Sequence, residues 1–194
     1  MHSIRLTCGD SAASADNLPG WGGSCAAATL VREGVPRRVV WAPPGYGDDP
    51  RLSFLGGIPI LCPFAGRLPA ETFEFRGRSY RVPLATGYAM PIHGLVHDRA
   101  WQVTDHATDR LSLEFRLSRD AADVRDAWPA DFSLTATWSL EPAALSVNLM
   151  LQAGGSMPAA RGWRLLDTGE TLRAGMTISL AGLGDRWHTA DSGT

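Results

Sequence analysis

Three segments of this chain place apolar residues at every second position, and that period of two constrains the fold more than any other feature. In residues 111–117 (LSLEFRL), Leu111, Leu113, Phe115 and Leu117 point one way. In residues 132–140 (FSLTATWSL), Phe132, Leu134, Ala136, Trp138 and Leu140 share a face, and residues 145–151 (LSVNLML) repeat the pattern. Half-buried strands at such short spacing predict an all-β, antiparallel β-sandwich. Residues 26–31 and 38–41 read as earlier strands, separated from the rest by a loop at 42–50 (APPGYGDDP). Residues 72–75, the turn Arg76-Gly77-Arg78 and residues 79–83 read as a hairpin, with Phe73 and Phe75 on one face and Thr72 and Glu74 on the other. The one helix candidate is the short, Asp-rich stretch 118–126. With 21 glycines and 13 prolines spread along the chain, many short elements are expected rather than long helices.

The 194 residues fit a single domain spanning 1–194. Hydrophobic residues make up 44% and charged residues 20%, the range of ordinary globular proteins. A net charge of −2 supplies no basic field for nucleic acid or an anionic membrane. No apolar run is long enough for a transmembrane helix, and residues 1–14 lack the apolar core of a signal peptide. A cytoplasmic setting is therefore expected. Cys8, Cys25 and Cys62 have no metal-ligand spacing, and an odd count fits reduced thiols.

Motif by motif, the chemistry is sparse. His93 and His97 stand four apart, as do the ligands of a helical zinc motif, but Pro91 and Gly94 break any helix and no Glu holds the second position. Asp48 and Asp49 read as a solvated turn. Gly20-Trp21-Gly22-Gly23 lacks the strand-then-helix setting of a phosphate loop. There is no GxSxG and no Cys–His nucleophile motif, and no metal or cofactor is expected. Taken by position alone, His93 is a loop histidine satisfied by backbone, and Arg67 is a surface cation capping the turn before Pro69.

Residues 56–101 change the weight of those two. GGIPILCPFAGRL, the hairpin FEFRGRSYRVPL and IHGLVHDRAWQV follow one another in order, with WPADFSLTATWSLEPAALSV beyond them. This linked set resembles the aldose 1-epimerase (galactose mutarotase) family over residues 41–163. The resemblance implies the supersandwich fold of that family and a small-molecule sugar as partner. It places Arg67 on the family's sugar-binding arginine, with Gly66 replacing the usual asparagine, and His93 on an active-site histidine. The two are expected to face one cleft.

After Met157-Pro158 the likeness weakens. Gly162-Trp163 match, but Arg164 stands where the family's general-acid histidine would be. Asp185 matches weakly an aspartate that holds sugar hydroxyls, and residues 164–194 are otherwise an unassigned tail. The family's general-base glutamate lies further along a longer chain. A sandwich incomplete at its C-terminal end is thus expected, with exposed edges and self-association. Interconverting anomers needs a proton placed on the ring oxygen and another removed from the anomeric hydroxyl, and each such group contributes about 10²–10⁴-fold. An arginine, with a pKa above about 12, cannot be the acid. His93 can serve as an acid by its ordinary pKa. Glu170 and Asp167 are base candidates only by nearness to Arg164. The expectation is an isomerase-like protein with impaired catalysis. The alternatives are a non-catalytic sugar-binding domain and a truncated product without activity.

Overall fold

The computed structural model describes residues 2–158 and the backbone of residues 173–179. Strands β1 (Ile4–Thr7), β2 (Ser14–Leu18), β3 (Ser24–Arg32) and β4 (Val35–Val40) pair antiparallel in chain order as one sheet. A separate hairpin joins β5 (Thr72–Phe75) to β6 (Arg78–Arg81). The second sheet contains β7 (Gln102–His106), β8 (Arg110–Arg116), β9 (Phe132–Glu141), β10 (Ala144–Ala153) and β11 (Arg173–Ser179), in spatial order β11-β10-β9-β8-β7.

The period-two pattern builds the core of this second sheet. Leu111, Leu113, Phe115, Phe132, Leu134, Ala136, Trp138, Leu140, Leu145, Val147, Leu149 and Leu151 are all buried. Register sets them in rows across the strands. Leu111, Trp138 and Val147 stand abreast, and so do Leu113, Ala136 and Leu149. Each fully buried side chain of this size contributes about 1.5–3 kcal/mol by leaving water, an upper estimate because unfolded chains already bury part of that surface. The facing sheet adds Leu6, Ala15, Cys25, Ala28, Leu30 and Val40 to the same cluster. Two main-chain bonds tie the layers at their rims, from Thr7 N–H to Thr108 O (2.8 Å) and from Val31 N–H to Pro142 O (2.7 Å). The Trp138 indole reaches across to donate to Gly23 O at 3.0 Å.

The early strands run longer than their pattern suggested, and Trp41 falls outside β4 with 54% of its surface exposed. The helix candidate splits into one α-turn at Leu117–Asp120 and a 3₁₀ stretch at Ala122–Ala127 with a non-helical Val124. Local bonding explains the break: the Asp120 carboxylate accepts from Arg116 N–H at 2.8 Å and pairs with Arg119, so it serves the turn before it. No helix among the described residues is long and apolar enough to cross a membrane.

Candidate functional site

Between β4 and β7 the chain contains one regular hairpin and a 3₁₀ turn at Pro50–Leu52, and the rest of residues 41–101 is irregular backbone. Two segments of it run side by side. Arg67 pairs antiparallel with Ile92, and Cys62 pairs parallel with Gly94. Leu68 N–H donates to Pro91 O (3.0 Å), and Leu95 N–H donates to Cys62 O (2.7 Å). A Cβ on Gly94 would collide with the Cys62 carbonyl, and its φ of +86° lies in the left-handed region, so only glycine lets the two backbones close. This is the physical reason a glycine follows His93 in the sequence.

His93 sits at the crossing point. Its N–H donates to Gly66 O at 2.9 Å, and its Nδ1 accepts from Gly66 N–H at 3.0 Å. The second bond fixes the tautomer: a nitrogen that accepts from a backbone amide carries no proton, so neutral His93 holds its proton on Nε2. Protonating Nδ1 would set two donors against each other. Partial burial, and then the nearby Arg67 charge, lower the His93 pKa below its ordinary value. His93 also has a φ of +63°, uncommon for a residue with a Cβ. A regular strand would turn it to the face opposite Ile92, and the left-handed turn interrupts that alternation.

Arg67 is exposed and lies next to Gly66 in the segment paired with 91–95. The structure therefore brings Arg67 and His93 together through main-chain pairing, and the bland reading of His93 describes one of its edges: a loop histidine bonded to backbone. Arg164 and Asp185 lie outside the described residues, as do Asp167 and Glu170.

One aromatic ring packs against His93. Phe54 meets the imidazoles of His93 and His97 edge-on, with centroids 4.5 Å away in each case, and Tyr88 packs on Phe54 at 5.6 Å. Neither Phe54 nor Tyr88 carried a sequence signal. His97 did, through its spacing from His93, but in the form of a zinc pattern. Among the described residues no group of His, Cys, Asp and Glu is placed to hold a metal.

The remaining sequence candidates have structural roles. Gly22 packs against the His97 main chain with no room for a Cβ, and its N–H donates to Arg99 O at 2.7 Å, so the glycine-rich stretch is a close-approach turn. Asp49 caps the 3₁₀ turn at Pro50–Leu52 and chelates Arg51, which holds its carboxyl below the usual range. Arg99 grips Asp123 with two bonds of 2.9 Å and so anchors the His97 segment to the 122–127 turn. Burial pushes the Cys25 thiol up to about 12 and raises that of Cys62 as well, so neither is a nucleophile near neutral pH.

Known proteins agree with this architecture. The sequence model of the aldose 1-epimerase family matches residues 5–164, which takes in the N-terminal strands as well as the motifs of 56–101. No curated protein sequence gives a match. Among solved structures, the Slr1438 protein of Synechocystis sp. PCC 6803 is 28% identical, with a TM-score of 0.66 over 81% of this chain and 51% of its own. A galactose mutarotase-like protein from Clostridium acetobutylicum is 20% identical (TM-score 0.65, 81% and 48%). The GalM/aldose epimerase homologue from C. elegans is also 20% identical (0.58, 81% and 51%). The chain spans about half the length of these structures. The last two likenesses concern the fold alone, an antiparallel sandwich of the galactose mutarotase-like kind. Because the family model covers most of the sequence, with strands β2 to β10 and the Arg67–His93 crossing inside it, the chain belongs to the aldose 1-epimerase family.

Proposed function

We propose that this chain binds the anomers of a hexose or related aldose at Arg67 and His93, and interconverts them at least about 10²-fold more slowly than a family member with both acid and base in place. The observation that supports this most directly is the bond from Gly66 N–H to His93 Nδ1. It leaves Nε2–H as a fixed donor for a sugar oxygen. It also favours a neutral ring, which polarises an oxygen but does not hand over a proton as an imidazolium would. On this reading His93 acts as a hydrogen-bond donor rather than as the acid. Arg67 adds a planar set of donors beside it, suited to adjacent hydroxyls. Arg164, at the position where the resemblance puts the acid, cannot release a proton near neutral pH.

Polarimetry with α-glucose and α-galactose, paired with sugar titrations followed by NMR, tests the proposal. Saturable binding with slow anomer exchange is the expected result, and Arg67→Ala and His93→Gln should each weaken binding. At 100 times its dissociation constant a sugar should add about 2.7 kcal/mol of stability. Exchange as fast as in an intact mutarotase would disprove the impaired chemistry. Sugar titrations unaffected by either substitution would disprove the site.

A further inference from the structure

His97 is 5% exposed, and its Nδ1 has no hydrogen-bond partner. The nearest acid, Asp98, has Oδ1 4.0 Å from that nitrogen, beyond hydrogen-bond reach. A buried ring nitrogen without a partner is unfavourable, so Nδ1 bonding does not account for the placement of this ring. Shape does. Gly22 packs against the His97 main chain, and the imidazole meets Phe54 at 4.5 Å with the planes 61° apart. Phe54 meets His93 in the same geometry, at 4.5 Å and 62°. His93 itself keeps a left-handed φ of +63°, a conformation that persists only where the surroundings over-determine it. The bond from Gly66 N–H holds the Nδ1 edge of the His93 ring, and the bond to Gly66 O holds its main chain. They leave its ring free to tilt about that edge unless something packs against it.

We propose that Phe54 and His97 are positioning residues, an edge-to-face stack of rings that presses the His93 imidazole onto Gly66 and aims Nε2–H at the sugar. This rests on the reading of His93 as the sugar's donor. His97 acts through Phe54 and touches no substrate. Burial keeps His97 uncharged near neutral pH, and the neighbouring His93 and Arg99 act in the same direction against the pull of Asp98. An uncharged ring packs on Phe54 much as a phenyl ring would, so aromatic shape is the property that matters here.

The test uses the full chain labelled with ¹⁵N, and reads the His93 ring nitrogens by long-range proton–nitrogen spectra with and without glucose or galactose. In the wild type His93 should show one tautomer, protonated on Nε2. His97→Ala and Phe54→Leu should average its tautomers, raise its titration midpoint and weaken sugar affinity by about tenfold, the effect of one well-aimed hydrogen bond. His97→Phe should keep both readouts near wild type. The stack is wrong if His97→Ala leaves the His93 nitrogens and the affinity unchanged. It is equally wrong if His97→Phe is as damaged as His97→Ala, because the nitrogen would then matter rather than the ring. Should His97→Ala not fold, Phe54→Leu probes the same contact from the other ring. A wild type that binds no sugar would overturn the sugar site alone, and the sugar-free spectra would still decide the stack.

Discussion

The two halves of this molecule's described structure are specified in different ways. In β8–β10 the same instruction repeats at every second residue, and the buried rows Leu111–Trp138–Val147 and Leu113–Ala136–Leu149 are many small contributions of one kind. In residues 41–101 nothing repeats. The Arg67–His93 crossing depends on single exceptions: a glycine against the Cys62 carbonyl, a left-handed histidine, and one backbone amide on one ring nitrogen. A repeated pattern tolerates the loss of a member with graded damage. A constellation of exceptions loses its geometry with one change, even where global stability survives.

The largest expected effect breaks the sandwich. Trp138→Ala should cost about 3–5 kcal/mol, and it also leaves the Gly23 carbonyl without the indole donor. Urea unfolding would measure the loss, while the His93 tautomer in the folded fraction should stay unchanged. A parallel loss of that tautomer would show that the two regions are not separately specified. Gly94→Ala comes next. The left-handed backbone alone should cost about 1–3 kcal/mol, and the collision with Cys62 must push the paired segments apart. Sugar affinity should then fall more than stability does, and a variant with wild-type affinity would contradict the crossing as described.

A smaller effect is expected from pH. The folded-state pKa values of His93 and His97 both lie below the ordinary value, mainly through burial. The unfolded chain therefore takes up more protons as pH falls. The stability from these groups is complete above about pH 6.5 and is lost as pH drops through that value toward the folded-state pKa values. Melting curves between pH 5 and pH 8 should show this slope, and His97→Phe should flatten it. The smallest effect belongs to the surface. Arg5 chelates Asp16 at 2.7 Å and 2.8 Å across β1 and β2, yet the arginine is 63% exposed. Arg5→Ala should change stability by only about 0.2–1 kcal/mol. A larger loss would mean that the first sheet relies on ion pairs more than on its buried row.

The sequence disclosed these regions unequally, for the same reason. Strands β8, β9 and β10 could be read residue by residue because their burial follows their period. Strands β1 and β2 could not: IRLT and SADNL carry few apolar residues, and Asn17 is buried although polar. Strand β7 is exposed throughout, so its pairing with β8 left no alternation to read. At the site, Arg67 and His93 were visible only through linked motifs, and the close approach of Gly94 to Cys62 was not visible at all. Phe54 and Tyr88 were not visible, because the contacts of Phe54 with His93 and with Tyr88 come from tertiary packing and not from spacing. His97 was visible only in a zinc-like spacing that Pro91 and Gly94 already argued against, and its ring contact with Phe54 comes from tertiary packing as well.

The two buried thiols offer a way to time these regions separately. Cys25 lies in β3 of the sandwich and Cys62 in the segment paired with Gly94, with 0% and 1% of their surfaces exposed. A disulfide reagent can reach either sulfur only while its surroundings are transiently open, so the two labelling half-lives are clocks for two opening events. Equal half-lives would mean that the crossing and the sheets come apart in one step. A faster Cys62 would mean that the crossing breathes on its own while the sandwich stays shut, and mass spectrometry of partly labelled protein reads both clocks from one sample.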